Sequence, residues 1–418
     1  MKKIDNSIFF NYKDKTYNYM IEESAKNNCN CQNIYMDNFN AKVDDITRVF
    51  VLQLTKKCNM GCKYCVFGES INVDSDKDMI INLLNYIQKM GLKNVKIAFF
   101  GGEPLIKFDL IKFVLNKTKE LTNIDWKFSI YTNGLLLNEE ISRYLYANNV
   151  NIILSLDGTK EMHDNNRIYK SGNPTYEEVV LNFKKNKKYM KNIIVNSVYD
   201  TKKMNETFVN ITENLYNEGF GMFSLKFPYV EFDSEYSLNE QKLNKVKQYV
   251  DEYMEYSLGK IQEKRIDYIF FHNVFQYILF MILGKSLKCP YGCQVGKIIR
   301  GIDTGGNIYP CQSFIGIEEF KVGNIKEIFF ENNTIERFRN YSYEGINKCN
   351  TCPIEYICSS SCAYECYLYN NDIYKPNKFR CDIEKEFFKA AVILYSEIKK
   401  YPDLVTKIKI AYSIYQGL

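Results

Sequence analysis

Six short runs of apolar and β-branched residues constrain the fold of this 418-residue chain more than any other feature. In chain order they read VFVLQLT, VKIAFFGGE, KFSIYTNG, NIILSLDG, NIIVNSVYD and MFSLKFP, and they lie between residues 49 and 230. Longer amphipathic stretches separate them, such as residues 76–90 and 109–121. Alternating strand and helix patterns of this kind predict βαβ units and a parallel sheet. Because such crossovers are right-handed, a sequence of six such units predicts an α/β fold built on a partial (β/α)6 barrel of the TIM type.

We assign the predicted barrel to residues 49–235, and the remaining segments differ from it in composition and periodicity. Residues 236–288 show helical periodicity and predict a helical bridge, whereas residues 289–381 are rich in Cys, Gly and Pro and predict a Cys-rich domain. Residues 382–418 predict a C-terminal helix, and residues 1–48 carry only weak strand and helix patterns. The chain is therefore expected to be a barrel followed by a smaller Cys-rich domain.

Unusual motifs follow four of the six predicted strands, each at the point where the strand ends. Three clustered cysteines follow the first strand, GGEP the second, TNG the third and LDG the fourth. In a parallel barrel the loops after the carboxyl ends of the strands form one mouth, which is where active sites lie. We therefore expect the four motifs to meet in one site.

Charge and hydropathy exclude several classes of partner. The chain has 55 basic and 50 acidic residues, and its net charge of +5 is too small to favour a nucleic-acid partner. The N-terminus has no continuous apolar stretch and so does not resemble a secretory signal. The most apolar segment, residues 269–283, is shorter than the roughly 20 residues that a membrane-spanning helix needs. We expect a soluble, cytoplasmic protein with no membrane partner.

Fourteen cysteines and only two histidines indicate thiolate-ligated metal or redox chemistry. Disulfides are rare in a reducing cytosol, so clustered cysteines there usually bind a metal. The motif CNMGCKYC contains Cys58, Cys62 and Cys65 with no fourth ligand nearby. Three thiolates can hold three corners of a [4Fe–4S] cluster and leave one iron open to a small molecule, as catalytic zinc sites leave one position open. A zinc site completed by a distant residue, or three buried thiols, is the alternative at this point.

The Cys-x3-Cys-x2-Cys pattern of CNMGCKYC resembles that of the radical S-adenosylmethionine (SAM) superfamily, and AFFGGEP resembles its methionine-amine loop. The resemblance implies that Cys58, Cys62 and Cys65 hold a [4Fe–4S] cluster whose open iron binds SAM. It further implies that the reduced cluster cleaves SAM to a 5′-deoxyadenosyl radical, which abstracts a hydrogen atom from the substrate. The hard chemistry then belongs to the cofactors, and the protein orients them.

The same resemblance implies a SAM pocket around the other motifs. Tyr64 is expected against the adenine, GGEP at the methionine amine, and Ser155 and Arg167 at the SAM carboxylate. A guanidinium matches a carboxylate with two parallel hydrogen bonds, which suits Arg167 to that role. The predicted pocket residues are Tyr64, Gly101, Gly102, Glu103, Pro104, Thr132, Asn133, Ser155, Asp157 and Arg167.

A second cysteine pattern lies toward the C-terminus. CNTCPIEYICSSSC has the spacing Cys-x2-Cys-x5-Cys-x3-Cys, and CPYGCQVGKIIRGIDTGGNIYPC contains Gly-x4-Cys. Together they resemble the SPASM extension of radical SAM enzymes, which implies two auxiliary [4Fe–4S] clusters and three clusters in all. The first would be held by Cys289, Cys293, Cys311 and Cys362, and the second by Cys349, Cys352, Cys358 and Cys381. Four thiolates would close each cluster, so both are expected to carry electrons rather than bind substrate.

Three cysteines lie outside this assignment. Cys366 is interpreted as a spare thiol near the second auxiliary cluster, or as an alternative ligand of it. Cys29 and Cys31 are interpreted as incidental thiols, with a role in handling the substrate as the alternative. A zinc ribbon is the alternative for CNTC taken alone.

Enzymes with this SPASM pattern modify peptides or proteins, and two branches compete. Anaerobic sulfatase maturases, which form formylglycine, typically place an Asp base directly after the Gly-x4-Cys cysteine, whereas this chain has Gln312 there. A carboxamide does not accept a proton usefully near neutral pH. The stretch YPCQSFIGIEEFKVGNI is similar instead to maturases that cross-link ribosomally made peptides. We therefore expect a peptide maturase that forms a thioether or related cross-link in a Cys-rich peptide, with sulfatase maturation as the alternative.

The resemblance also implies partners. A precursor peptide would be the substrate, and an electron donor such as flavodoxin or ferredoxin would reduce the clusters. Residues 1–48 would contact a peptide leader, for example by strand addition. No catalytic side chain is assigned beyond the cluster and SAM. A non-catalytic iron–sulfur electron-transfer protein is the alternative from another class, but it would not need a SAM pocket.

Overall fold

The computed structural model describes most of the chain from residue 47 onward and the backbone of three strands before it. The described residues are 2–5, 8–11, 16–19, 47–68, 71–190, 193–266, 271–283, 295–327, 337–338, 349, 352, 354, 358 and 362–415. The predictions on Cys29, Cys31, Cys289 and Cys293 fall outside these ranges.

The N-terminal region contains a small antiparallel sheet. Its strands are β1 (Lys2–Asp5), β2 (Ile8–Asn11) and β3 (Thr16–Tyr19), which neighbour each other in chain order. Phe9 of β2 pairs with Lys3 on one side and with Asn18 on the other. The weak strand patterns of this region therefore correspond to real strands, and the contact with a peptide leader stays a prediction.

The barrel strands lie where the six apolar runs predict them. They are β4 (Arg48–Thr55), β5 (Asn94–Gly101), β6 (Asp125–Thr132), β7 (Val150–Ser155), β8 (Ile193–Val198) and β9 (Phe223–Lys226). They neighbour each other in chain order, and every neighbouring pair is parallel. The predicted α/β fold with six consecutive parallel strands is confirmed.

Six helices lie between or after these strands and share one apolar core with them. They are α1 (Lys77–Lys89), α2 (Phe108–Lys119), α3 (Glu139–Ala147), α4 (Lys160–Asn166), α5 (Tyr176–Asn186) and α6 (Phe208–Asn217). The side chains of Asp76, Asn138, Thr159 and Thr207 each accept a backbone N–H from the first turn of the helix that follows. Such caps define where a helix begins, because the first N–H groups have no partner within the helix.

The opposite face of the barrel strands, here called the inner face, is more polar. Leu52 and Leu54 of β4 belong to the core, so Gln53 between them points to the inner face. Ser129 on β6 and Ser224 on β9 alternate with core residues in the same way. Strand alternation therefore produces a sheet that is apolar toward the helices and partly polar toward the barrel interior.

Three further strands extend the sheet beyond β4. They are β10 (Ile299–Ile302), β11 (Asn307–Tyr309) and β12 (Gly323–Asn324). β10 pairs with β4 in parallel, with Gly301 opposite Val51, and β11 and β12 follow in antiparallel pairing. Part of the predicted Cys-rich domain thus belongs to the same nine-stranded sheet as the barrel.

The helical bridge and the C-terminal helices pack together. The bridge consists of α7 (Glu240–Gln262) and α8 (His272–Leu283), and the C-terminal region contains α9 (Ala363–Asn370), α10 (Lys378–Ile398) and α11 (Pro402–Tyr415). α10 packs against α7 and α8. The single C-terminal helix expected from the sequence is two helices, because Pro402 has no N–H to continue α10 and instead begins α11.

The apolar helix α8 is a core helix that covers the edge of the sheet. The Asn273 side chain donates to Leu225 O at 2.9 Å and accepts from the Leu225 N–H at 3.0 Å, so it satisfies the backbone of edge strand β9. Within the described ranges, no helix has the length and apolarity that crossing a bilayer demands.

Candidate functional site

The segment after β4, residues 56–68, carries the three predicted cluster cysteines and is here called the Cys loop. Cys58 and Cys62 are half-buried, and Cys65 is exposed. Burial raises the pKa of Cys58, and it raises the pKa of Cys62 to about 11. The charge of Cys65 contributes to both shifts, so the three thiols lie close together. The Cys loop thus gathers the predicted ligands at the carboxyl end of β4.

Backbone hydrogen bonds hold the Cys loop in place. The Gly61 N–H donates to Ile168 O at 2.8 Å, which pairs the loop with the segment after α4. Within the loop, the Met60 N–H donates to Cys58 Sγ at 3.4 Å. Hydrogen bonds to a ligating sulfur tune the potential of the cluster that it holds. The loop is therefore positioned by the barrel, and one of its sulfurs already has a backbone donor.

The GGEP backbone packs directly on the Cys loop. The Gly102 N–H donates to Thr55 O at 2.9 Å, and the Glu103 N–H donates to Lys57 O at 2.8 Å. A Cβ on Gly102 would lie 2.1 Å from Lys57 O, well inside van der Waals contact. A Cβ on Gly101 would lie 2.3 Å from Thr55 O, so the close approach of the two backbone segments requires both glycines.

Replacing Gly102 with alanine is expected to displace the Cys loop and lower the free energy of unfolding by roughly 3 kcal/mol, the upper end of overpacking effects. The obstacle is a backbone carbonyl, which cannot rotate away as a side chain could. Gly221→Ala is the matched control, because a Cβ there meets no atom within 4 Å. Urea denaturation and iron content after anaerobic reconstitution measure both variants. Equal stability and equal iron content in the two proteins would contradict this packing.

Glu103 is fully buried, and its carboxylate joins the ends of β5 and β6. Oε1 accepts from the Leu105 N–H at 3.0 Å and from the Thr132 hydroxyl at 2.9 Å. Oε2 accepts from the Asn133 N–H at 2.7 Å. Burial raises the pKa of Glu103 to about 7, against the effect of these hydrogen bonds. With Pro104 in the 3-10 turn that Glu103 caps, four predicted pocket residues lie in one hydrogen-bonded unit.

Asn133 links this unit to the Cys loop. Its Nδ2 donates to Asn59 Oδ1 at 2.7 Å and lies 3.9 Å from Cys58 Sγ. The motifs after β4, β5 and β6 therefore meet at one end of the barrel, as the sequence predicts.

Tyr64, Asp157 and Arg167 form a charged cluster between the Cys loop and the end of β7. Arg167 Nε lies 2.9 Å from Asp157 Oδ1, and the guanidinium carbon lies 5.4 Å from the centre of the Tyr64 ring. The Tyr64 hydroxyl donates to Asp157 Oδ2. Burial acts to lower the pKa of Arg167, but the Asp157 charge and the other neighbours outweigh it, so Arg167 stays charged. A buried ion pair thus anchors the residue that precedes Cys65.

Asp157 is fully buried, and its carboxylate has a second backbone contact. The Val198 N–H donates to Asp157 Oδ1 at 2.8 Å. His163 Nδ1 accepts from the Asp157 N–H at 3.1 Å, and the Thr175 hydroxyl donates to Arg167 O at 2.6 Å. Both carboxylate oxygens have protein partners, so we interpret Asp157 as a residue that positions Tyr64 and Arg167. The sequence did not single out His163 and Thr175, although His163 stands inside the SLDGTKEMHDNNR stretch.

Ser155 ends β7 on the inner face, beside core residue Leu154 and opposite Asn196 of β8. It is half-buried. Within the described part of the chain it makes no hydrogen bond with Asp157 or Arg167. The joint contact of Ser155 and Arg167 with the SAM carboxylate therefore stays a prediction.

A second charged cluster, which the sequence analysis did not identify, lies at the start of the Cys loop, where β4 ends. Asp74 Oδ2 lies 2.9 Å from Lys57 Nζ and 2.7 Å from Lys107 Nζ, and Oδ1 accepts from the Thr55 hydroxyl at 2.6 Å. Partial burial opposes the effect of these partners, but their hydrogen bonds lower the pKa of Asp74 to about 2. Lys57 stands directly before Cys58, and that adjacency is the one feature by which the sequence could have indicated the cluster.

The described cysteines of the C-terminal region fall into two neighbourhoods. Burial and the nearby Cys362 and Cys311 raise the pKa of Tyr364 to about 12, so both thiols lie near this side chain. Burial acts to lower the pKa of Lys385, but Asp382 and the nearby Cys352 and Cys381 raise it. The Cys352 N–H donates to Cys349 O at 2.9 Å. Cys358 lies near Tyr277, which donates to Glu384 in the same helix as Cys381. This grouping supports two separate sets of cluster ligands, and their assignment to clusters stays a prediction. Cys366 is a fully buried thiol of α9.

The donor set of the Cys loop suits an iron–sulfur cluster, because it offers three neighbouring thiols. Across the described residues, no three His, Cys, Asp or Glu side chains are arranged to hold a single metal ion. The Glu103 and Asp157 carboxylates at this site are already bonded to protein groups. Cys58, Cys62 and Cys65 therefore fit the SAM-binding cluster that the sequence predicts.

The fold and this site define the class of the protein. Residues 52–215, from β4 to α6, match the family model of the Radical SAM superfamily. Residues 52–215 are a Radical SAM domain and the protein is an enzyme, and the family of that domain implies SAM and a [4Fe–4S] cluster as cofactors. The alternative of a non-catalytic electron-transfer protein is therefore not retained.

The chain is also similar to two characterised relatives and to one solved structure. The chain is 27% identical over 367 residues to the cysteine-type anaerobic sulfatase-maturating enzyme of Clostridium novyi (strain NT), covering 80% of this chain and 91% of the relative. It is also 27% identical over 374 residues to the radical SAM cyclopropyl synthase TigE of Paramaledivibacter caminithermalis, covering 84% of this chain and 75% of the relative. The structure of native anSMEcpe with bound AdoMet and Cp18Cys peptide has the same fold, with a TM-score of 0.70, 21% identity, and coverage of 88% of this chain and 100% of that chain.

Proposed function

We propose that the protein is a peptide maturase that abstracts a hydrogen atom from a ribosomally made, Cys-rich precursor peptide and forms a thioether or related cross-link. The observation that carries the proposal is Gln312, which occupies the position after Cys311. Gln312 begins a 3-10 turn that packs beside β4 and β10. Its carboxamide cannot serve as the base that an Asp at this position would supply. The proposed reaction needs no base from this side chain.

In this proposal the Cys loop holds the cluster and the motifs after β5 to β7 hold SAM. When bound, SAM and the reduced cluster supply the hydrogen-abstracting chemistry. The Glu103 and Asn133 bonds fix the pocket wall against the Cys loop, and Arg167 presents a buried positive charge to the SAM carboxylate. Tyr64, held by Asp157, supports the adenine. The protein groups thereby orient the cofactors before the substrate arrives.

Formation of a thioether releases an electron, and the C-terminal cysteines are suited to hold the clusters that would accept it. The peptide thiol loses a proton, the partner carbon loses a hydrogen atom, and formation of the carbon–sulfur bond releases one electron. This electron needs an acceptor within the enzyme. We assign that role to two auxiliary [4Fe–4S] clusters, held by Cys289, Cys293, Cys311 and Cys362 and by Cys349, Cys352, Cys358 and Cys381. With the SAM-binding cluster this makes about twelve irons per chain.

Sulfatase maturation is the second candidate, and overall similarity favours it. The Clostridium novyi relative is a sulfatase-maturating enzyme by name, and 91% of its length is covered. TigE has the same identity, however, and is named a cyclopropyl synthase, so identity alone does not choose between the reactions. Gln312 is the residue that separates the two candidates.

Mass spectrometry of a Cys-rich peptide encoded beside the gene, incubated with enzyme, SAM and dithionite, tests the proposal. Cross-linking is expected to lower the peptide mass by about 2 Da per link, because each link removes one hydrogen atom from carbon by the abstraction chemistry of the cofactor and one proton from the thiol. Exchange of a Cys sulfur for an aldehyde oxygen would instead support sulfatase maturation. Deoxyadenosine formation with neither product would contradict both candidates.

Cys311→Ala is expected to retain SAM cleavage but to lower cross-linked product at least about 10²-fold, because one auxiliary cluster loses a ligand. The two readouts are deoxyadenosine by chromatography and product by mass spectrometry. Normal product formation in this variant would contradict the electron-acceptor role of the first auxiliary cluster. The physiological reductant, of the flavodoxin or ferredoxin kind, is part of the same proposal and is replaced by dithionite in these assays.

A further inference from the structure

We propose that Phe67, Phe100 and Tyr131 form a substrate subsite beside the SAM pocket. This subsite binds an apolar side chain of the peptide substrate, and a backbone N–H of the same peptide donates to Gln53 Oε1. The subsite rests on the proposed function, because its occupant is the peptide substrate. The proposal predicts that the substrate residue that loses the hydrogen atom is apolar, such as Leu, Ile, Val or Phe.

The three aromatic rings form a continuous row from the Cys loop into the barrel. The Phe67 and Phe100 ring centres are 5.3 Å apart with planes at 71°, and those of Phe100 and Tyr131 are 5.7 Å apart at 85°. Both contacts are edge-to-face, the favoured geometry for aromatic pairs. Phe100 directly precedes Gly101, and Tyr131 directly precedes Thr132. The row therefore adjoins the predicted SAM pocket along two neighbouring strands.

Strand alternation places the row on the inner face. Phe99 of β5 and Ile130 of β6 are fully buried in the core shared with the helices. Phe100 and Tyr131, one residue further along each strand, therefore point into the barrel. A molecule next to SAM in the barrel mouth would meet these two rings.

The outer end of the row is exposed and apolar. Phe67 is 36% exposed and Val66 is 38% exposed. Ile71 and Val73, further along the same connection to α1, are also exposed. Exposed apolar side chains that cluster beside a functional site mark a place where a ligand or partner binds. Because the row continues from this rim to the SAM pocket, we assign it to the substrate.

Two buried polar atoms on the inner face point to the same ligand. Gln53 pairs with Phe100 in the register of β4 and β5 and is 3% exposed, yet its Oε1 has no hydrogen-bond partner in the described structure. Ser129, two residues before Tyr131 on the same face, is 1% exposed, and its Oγ also has no partner there. Buried polar atoms without partners are costly, so a ligand that supplies an N–H is favoured at Gln53.

The absence of charge in the aromatic row indicates which class of substrate side chain the subsite binds. No residue of the row is ionisable at neutral pH, and the Glu103 carboxylate that follows Phe100 is already bonded to Leu105, Thr132 and Asn133. A charged substrate side chain would lose its hydration here without gaining a partner of opposite charge. An aliphatic or aromatic side chain gains apolar contact instead.

The experiment uses the reconstituted holoenzyme and acetylated, amidated pentapeptides Gly-Cys-Xaa-Gly-Gly, in which Xaa is side-chain-deuterated Leu, Phe, Ser or Asp. We expect deuterium to appear in 5′-deoxyadenosine from the Leu and Phe peptides at least about tenfold faster than from the Ser and Asp peptides, a ratio that one buried apolar side chain can supply. Phe67→Ala is expected to raise KM for the Leu peptide about tenfold and leave KM for SAM unchanged. Phe232→Ala, which removes another exposed ring (68% exposed), is the matched control and is expected to change neither.

Each outcome supports or overturns the subsite. Faster transfer from the Ser or Asp peptide overturns the apolar class while the peptide function stands. An unchanged KM for the Leu peptide in Phe67→Ala, or a raised KM for SAM in that variant, overturns the assignment of the row to the peptide. No transfer from any of these peptides, while the precursor encoded beside the gene is cross-linked, overturns the subsite alone; deoxyadenosine formation without modification of that precursor overturns the proposed peptide function. Absence of deoxyadenosine would contradict the cluster assignment itself.

Discussion

Replacing Cys58 with alanine is expected to abolish 5′-deoxyadenosine formation and to remove about four irons per chain. Cys58 is one of three neighbouring thiols, and its sulfur accepts the Met60 N–H and lies near the Asn133 amide. Two thiolates cannot replace three in holding a cluster with one open iron, so SAM would lose its binding iron. Chromatography of the reaction mixture and iron analysis after anaerobic reconstitution measure the two effects.

Cys29→Ala serves as the thiol control, because Cys29 is interpreted as an incidental thiol outside the described residues. It is expected to keep the parental iron content and rate. Deoxyadenosine release by Cys58→Ala at the parental rate would overturn the assignment of the Cys loop to the SAM-binding cluster.

Asp157→Ala is expected to lower the free energy of unfolding by about 3–5 kcal/mol, the usual cost of leaving one partner of a buried ion pair unpaired. Asp157 is fully buried, Arg167 is 7% exposed, and their closest atoms are 2.9 Å apart. The variant also removes the acceptor of the Tyr64 hydroxyl, so SAM binding is expected to weaken. Urea denaturation gives the stability change, and calorimetric titration with SAM gives the affinity.

The double variant Asp157→Asn/Arg167→Met separates packing from binding. It removes both buried charges, so most of the lost stability is expected to return. SAM binding is expected to stay weak, because the positive charge for the SAM carboxylate is gone. Glu177→Ala, which breaks an exposed ion pair with Lys160, is the surface control and is expected to cause no measurable change. Parental SAM affinity in the double variant would exclude Arg167 from the pocket.

The strands and motif loops were predictable because the patterns that encode them are local. Short apolar, β-branched runs predicted β4 to β9, and the amphipathic stretch at residues 76–90 predicted α1. The position of a motif at a strand's carboxyl end then followed from parallel topology. The same logic placed Glu103, Thr132 and Asn133 in one pocket, where the structure joins them by direct hydrogen bonds.

Several parts of the site depend on contacts between distant positions and could not be predicted. Tyr64 and Asp157 are 93 residues apart, and nothing around either one encodes their hydrogen bond. The GGEP motif indicated a ligand, but the carbonyl that requires Gly102 belongs to Lys57 of the Cys loop. The aromatic row likewise joins Phe67, Phe100 and Tyr131 from three separate segments.

The amino-acid sequence by itself determined the parallel α/β architecture and the type of cluster chemistry, because strand periodicity and the spacing of thiolate ligands are properties of short segments. Only the tertiary structure decided that β10 pairs in parallel with β4, that Asp157 serves Tyr64 and Arg167, and that an aromatic row lines the inner face. These features arise from the packing of segments far apart in the chain, and their energies depend on burial and geometry that no local pattern records.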